Sequence, residues 1–203
     1  MDETTSAVKI CSNALLMLGA QPIASFSEGS GFGANLDRAK LCSELYPQTR
    51  KAVLRGHYWN CCVKRVMLSP DVIPPPFGFA NRFLLPGDWL RTVNVGDERG
   101  RSRIIYRSEG RYLLSDEVVF PLTYLADTPE QEWDTLLIDV MTMAMAWRMA
   151  YPITKSTSVE DQRNGELKEL LKQARAVDGQ DDPPETLGDS PLLQSRFTGI
   201  GGF

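Results

Sequence analysis

A single histidine, His57, is all the imidazole in this 203-residue chain, and that scarcity bounds its chemistry first. One imidazole excludes multi-histidine metal sites and leaves room for at most one Ser-His-Asp or Cys-His arrangement. His57 stands in Arg55-Gly56-His57-Tyr58-Trp59-Asn60, at the end of an expected helix, where it favours the dipole and packs on Trp59. No G-x-S-x-G elbow, H-E-x-x-H pair or phosphate-binding P-loop accompanies it. Cysteine is equally uninformative: four are present, none in a C-x-x-C pair, so neither a metal nor a disulfide framework is expected. Cys11 and Cys42 fall on the apolar stripes of expected helices, where a thiol acts as a small hydrophobe. The side chains of the adjacent Cys61 and Cys62 diverge if the segment is a strand. The expectation is therefore a protein with no catalytic residue, no cofactor and no metal.

Two further absences narrow the class. No apolar run approaches the ~20 residues a membrane-spanning helix needs, so no membrane association is expected. The opening MDETTSAVKI lacks the basic and apolar regions of a secretory signal, which points to synthesis in the cytoplasm. Charge of one sign is also missing from most of the chain. Basic residues against acidic ones number six to five in 1–60, nine to eight in 61–127 and six to eight in 128–177. The acidic excess sits in 178–203, with one against five. A neutral body lowers the odds of a dedicated DNA-binding module, which carries a strong basic patch.

The patterning that is present predicts an α+β fold. Ala7, Ile10, Cys11, Ala14, Leu15 and Leu18 recur at helical spacing over residues 4–19, with Gly19 as C-cap. A Gly/Ser-rich connector, Ser27–Gly33, leads to a second helix over 35–57, which Pro47 is expected to kink or split. From 61 to 127 the pattern turns to short strands: Val63–Leu68, Leu90–Val95, a hairpin of Arg103–Arg107 and Arg111–Leu114, and Val118–Leu125 with Pro121 suggesting an edge. Helix resumes near Thr128, where Thr128, Pro129 and Gln131 read as a capping box. Leu136–Met149 is apolar nearly all round, the mark of a central helix or one buried against partner subunits. Pro152 breaks it, and a charge-patterned helix follows over 158–177. Residues 1–60 and 128–177 thus form a helical body of about four helices, and 61–127 a small antiparallel β-rich insertion.

The last segment, 178–203, is an extended C-terminal tail. Five glycines and three prolines among its 26 residues oppose regular structure, yet Leu192, Leu193, Phe197, Ile200 and Phe203 dot its end. An apolar-dotted tail of this kind suits a segment that orders on a partner.

Three stretches in this order resemble one family: ICSNALLMLGAQPIAS (Ile10–Ser25), LCSELYPQTRKAVLRGHYWN (Leu41–Asn60) and FGFANRFLLPGDWLRTVNV (Phe77–Val95). They look like the tail tubular protein A, or head-to-tail adaptor, of short-tailed double-stranded DNA phages. The resemblance covers about residues 5–150. It implies a structural virion protein, made in the host cytoplasm and placed at the head–tail junction in a ring of usually twelve subunits. The implied partners are the portal protein above, a nozzle protein resembling tail tubular protein B below, and genomic DNA passing through the lumen without sequence-specific binding. The ring extends the DNA channel and helps retain and eject the genome. By the same likeness, the tail docks into clefts between portal subunits through Leu192, Leu193, Phe197, Ile200 and Phe203. On the resembling segments, Trp59 and Phe83 read as anchors between body and sheet. Arg50 and Arg55 read as partners for carboxylates, and Asp88 as a turn residue.

Two other classes compete. A hydrolase would use His57 with a serine or thiol, and a DNA-binding regulator would use a helix pair within residues 4–57.

Overall fold

Ser6 begins the first helix by accepting the Lys9 backbone N–H on its hydroxyl at 3.2 Å, and α1 (Ala7–Met17) follows. It ends in a Schellman turn: Gly19 takes φ +72°, its N–H reaches Leu16 O, and the Ala20 N–H reaches Leu15 O, both at 3.0 Å. The structure, a computed structural model, describes residues 6–27, 34–96 and 104–181. The glycine-rich connector therefore falls almost wholly outside the described residues. α2 (Ala34–Gly56) runs through Pro47 unbroken, so the expected split does not occur. The proline removes one N–H, the donor to the Ser43 carbonyl, and the remaining turns carry the helix on.

α3 (Thr135–Thr154) and α4 (Thr157–Asp178) complete the body, capped by Asp134 and Ser156. The capping box at Thr128 is corrected by this arrangement. Pro129 precedes only a 3₁₀ turn, Glu130–Glu132, and Asp134 makes the α3 cap by accepting Leu136 N–H at 2.9 Å. Pro152 likewise does not break α3, because it lies three residues before a left-handed cap at Lys155, φ 57°. Leu137, Val140, Met141, Met145 and Met149 are fully buried, and α1, α2 and α4 all pack on α3. Most of its apolar circumference is thus covered by its own chain, while Met143 and Trp147 stay partly exposed. Each fully buried side chain contributes roughly 1.5–3 kcal/mol through burial.

Among the described residues, the insertion forms two three-stranded antiparallel sheets. β1 (Val63–Leu68), β6 (Phe120–Ala126) and β3 (Trp89–Val95) form one in the order β1-β6-β3. β2 (Asn81–Leu84), β5 (Tyr112–Ser115) and β4 (Tyr106–Glu109) form the other in the order β2-β5-β4. The hairpin sits slightly later than expected, and Gly110, φ +56°, takes the first place in its two-residue loop.

Pro121 lies in the central strand β6, not at an edge. Its carbonyl accepts the Gly96 N–H at 3.0 Å, so its ring nitrogen faces the same neighbour, at the point where β3 has ended. Toward β1 it needs no N–H, since Met67 and Pro121 are a pair whose backbone groups point away from each other.

The first sheet serves two cores. Phe120, Leu122, Tyr124 and Ala126 face a β core with Phe83 and Leu113 from the second sheet and Leu85 just beyond β2. Leu125, Val63, Leu90 and Val93 join the helical core instead. Register slips between Trp89 and Arg91 and between Thr92 and Asn94 leave Leu90 and Val93 as the extra residues of two bulges. These bulges turn two further apolar side chains onto the helices. Trp59 is buried in the helical core and Phe83 in the β core, so they do not share the body–sheet boundary expected of them.

Candidate interaction surfaces

The chain's return from insertion to body closes on Arg50 of α2. Its Nη1 approaches Asp127 Oδ1 at 2.6 Å and its Nε approaches Glu130 Oε1 at 3.1 Å, as ion pairs bent away from straight hydrogen bonds. Nη2 donates to the Thr128 carbonyl at 2.6 Å, and the guanidinium lies 5.6 Å from the Trp133 ring centroid. The Tyr46 hydroxyl donates to Glu130 Oε1 at 2.9 Å, and burial holds that phenol protonated well above its usual range. Arg50 therefore does pair with carboxylates, and they belong to its own chain. Arg55 is exposed in the last turn of α2.

Asp88 occupies the turn before β3, as expected, and ties three elements. Its carboxylate accepts from Lys64 Nζ and from the Tyr124 hydroxyl, each at 3.0 Å, while its carbonyl accepts Asp127 N–H at 2.7 Å. Burial works to raise the carboxyl, but the Lys64 and Tyr124 hydrogen bonds outweigh it and hold the group below the usual carboxylate range. Burial and the Asp88 contact push Tyr124 up to about 12. The Asp88 contribution is present above its unfolded pKa and fades as pH falls through the depressed folded value. The Tyr124 contribution is complete below about 10 and is lost as pH rises through about 12. The Lys64–Asp88 pair is partly exposed, so the acid effect is under about 1 kcal/mol. Asp88→Asn should flatten the acid limb of a plot of Tm against pH, and Tyr124→Phe the alkaline limb. Unchanged limbs in both variants would overturn the assignment.

At the far end of the insertion, the loop between β1 and β2 exposes large apolar side chains: Val72 is 95% exposed, Phe77 86% and Ile73 62%. The loop is braced rather than loose. Asp71 N–H donates to Arg82 O at 2.8 Å, Asp71 also pairs with the Arg82 guanidinium at 2.9 Å, and Ala80 N–H donates to Asp116 Oδ1 at 2.8 Å. Pro70, Pro74, Pro75 and Pro76 restrict its backbone further. Val118, Val119 and Leu84 of the same insertion are exposed as well. Apolar side chains held outward on a stiff loop suit contact with another macromolecule.

The root of the tail is tied to the end of α2. His57 Nε2 lies 3.1 Å from Asp178 Oδ2, Asn60 N–H donates to Asp178 Oδ1 at 3.1 Å, and Asn60 Nδ2 donates to the Asp178 carbonyl at 2.7 Å. Arg175 adds a bond to Gly56 O at 3.3 Å. The imidazole meets the Trp59 ring edge-on at 4.7 Å. Its Nε2 is thus paired with a carboxylate at the α4 terminus. An open cleft of about 340 Å³, lined by Tyr58, Asn60, Val63, Arg65 and Asp181, adjoins this clamp.

No protein-family model and no curated protein matches the chain. The likeness to phage adaptors stands on the three sequence segments. Among the described residues no group of three or more His, Cys, Asp or Glu could hold a metal ion, and no helix is long and apolar enough to cross a membrane. The tail residues Leu192, Leu193, Phe197, Ile200 and Phe203 lie outside the described residues. The pairing of Arg50 with carboxylates was expected, but sequence reasoning did not find its partners Asp127 and Glu130 or the His57–Asp178 clamp, whose members are distant in sequence. It read the β1–β2 loop as proline-rich without weighing its Val, Ile and Phe.

Proposed function

We propose that this chain is a structural virion protein, the adaptor that joins a phage portal to the tail nozzle as a homo-oligomeric ring. The ring lengthens the DNA channel and helps hold and release the genome, and each tail docks on the portal through Leu192, Leu193, Phe197, Ile200 and Phe203. The observation that carries this reading is the ordered likeness of the segments Ile10–Ser25, Leu41–Asn60 and Phe77–Val95. Residues inside those segments have identifiable work here: Tyr46 and Arg50 join body to insertion, Asn60 holds the tail root, and Trp59 and Phe83 fill the two cores. The braced apolar loop at Val72–Phe77 supports a protein whose work is contact.

Burying five large apolar side chains supplies roughly 1.5–3 kcal/mol each. Ordering about a dozen residues offsets most of that at roughly 1–2 kcal/mol each. Each tail then binds weakly and a closed ring binds strongly through multivalency. Deleting residues 190–203 should leave the melting midpoint nearly unchanged while abolishing attachment to portal protein, read by light scattering and negative-stain imaging. Full-length protein that stays monomeric under saturating portal overturns the adaptor reading. Wild-type attachment by the truncated chain overturns the role of the tail alone.

A further inference from the structure

Cys61 and Cys62 do not diverge as residues of a strand would. They sit in the 3₁₀ turn Asn60–Cys62, where their sulfurs come within 3.8 Å of each other. We infer that Cys61 and Cys62 form a peroxide-reactive dithiol, in which half-exposed Cys61 is oxidised and buried Cys62 closes a vicinal disulfide on it.

The geometry separates the two roles. Cys61 is reachable from solvent, whereas Cys11, Cys42 and Cys62 are fully buried. A hydrogen bond from Cys62 brings Cys61 down to about 7; burial opposes this, and a further hydrogen bond from the Asp134 backbone supports it. The lowering favours the thiolate of Cys61, the reactive form. The same contact, with burial, keeps Cys62 protonated far above the usual thiol range. A low-pKa, accessible thiol beside a resolving thiol is the arrangement that redox-sensitive pairs use.

The chemistry balances with a hydroperoxide, hydrogen peroxide being the simplest, as oxidant. The Cys61 thiolate attacks one peroxide oxygen, an S–O bond forms as the O–O bond breaks, and the departing hydroxide takes a proton to become water. Cys62 sulfur then attacks the Cys61 sulfenic sulfur. The S–S bond forms, the S–O bond breaks, and the leaving hydroxide carries off the Cys62 proton as a second water. Two electrons pass from the sulfur pair to the peroxide.

The location gives the reaction a structural consequence. Cys61 and Cys62 lie on the entry crossing into the insertion, and Cys62 Sγ contacts Thr128 Oγ1 on the exit crossing at 3.1 Å. Closing the sulfurs from 3.8 Å to about 2.05 Å draws Cys62 toward Cys61 and alters that contact. The joint between body and insertion is thereby linked to the oxidation state of one dipeptide.

The test uses the reduced full-length chain, limiting hydrogen peroxide, and tryptic mapping. Both thiols fall in one peptide, Gly56–Lys64, while Cys11 and Cys42 fall in two others, Ile10–Arg38 and Leu41–Arg50. Gly56–Lys64 should lose two hydrogens, regain them with a reductant, and react roughly ten-fold or more faster than either other peptide. Cys62→Ser should accumulate a Cys61 sulfenic acid that dimedone captures, and Cys61→Ser should leave Cys62 unoxidised. The wild-type map decides the matter even if a variant fails to fold. Cys11 or Cys42 reacting as fast as Cys61, or Cys61 passing to the sulfinic acid without the two-hydrogen loss, overturns the proposal.

Discussion

Arg50→Met should lower the stability of the folded chain by about 2–4 kcal/mol. Removing one member of a buried charge cluster costs about 3–5 kcal/mol, because the partners stay desolvated without compensation. Here the Arg50, Asp127 and Glu130 side chains keep 19%, 25% and 17% of their surface in contact with water, which lowers the figure. The methionine leaves two carboxylates facing each other and a Thr128 carbonyl without its Arg50 donor. Arg50→Lys should be intermediate, since one ammonium cannot span both carboxylates and the carbonyl as a planar fork does. Adding Asp127→Asn and Glu130→Gln to Arg50→Met should recover part of the loss, because the repulsion is then gone. Urea titrations of the four proteins measure this. Equal stability of Arg50→Met and wild type would show that the cluster does not hold the insertion. The variant should also expose the crossings first, so proteolysis near residues 127–130 should precede cutting within α3.

What was legible in the sequence was mostly local. The Gly19 turn and the helical spacing of Ile10, Cys11, Ala14 and Leu15 each depend on residues within one or two turns of each other. The α+β class follows from such signals, and so does the position of the insertion between α2 and α3. The errors share a different cause. Whether Pro121 is tolerated depends on which neighbouring strand its nitrogen faces, and that is fixed by the pairing of β6 with both β1 and β3. The bulges at Leu90 and Val93 break the two-residue alternation of β3, so the burial of those side chains against the helices has no local signature.

The surfaces were less legible than the fold for the same reason. Arg50 meets Thr128 across 78 positions, and His57 meets Asp178 across 121. The composition of 178–203 pointed to a docking tail, but the side chains named for it lie outside the described residues. One surface could have been found earlier: a run holding four prolines together with Val72, Ile73 and Phe77 cannot pair as a strand, and its apolar side chains had no helical or strand face to occupy.

Trp59→Ala should cost roughly 3–5 kcal/mol, the range for deleting a large buried aromatic. For a chain of this length that corresponds to a fall in Tm of about 6–20 °C. The indole is 2% exposed, and its Nε1 donates to the Val53 carbonyl at 3.0 Å in the last turns of α2. The His57 ring packs edge-on against it, and His57 in turn holds Asp178. Truncation therefore opens a cavity in the helical core and also loosens the clamp at the tail root. Trp59→Phe separates these effects: it retains most of the packing and loses the hydrogen bond, for a loss of about 1 kcal/mol. Phe83→Ala removes a ring of the β core, packed 4.9 Å from Phe120, and leaves the Trp59 environment intact. The two alanine variants should accordingly differ in where they yield first. Hydrogen exchange should accelerate in α2 and α4 for Trp59→Ala, and in β2, β5 and β6 for Phe83→Ala. An unchanged melting midpoint in Trp59→Ala would place the indole outside the core, and identical exchange patterns in both variants would show that the two cores unfold as one unit.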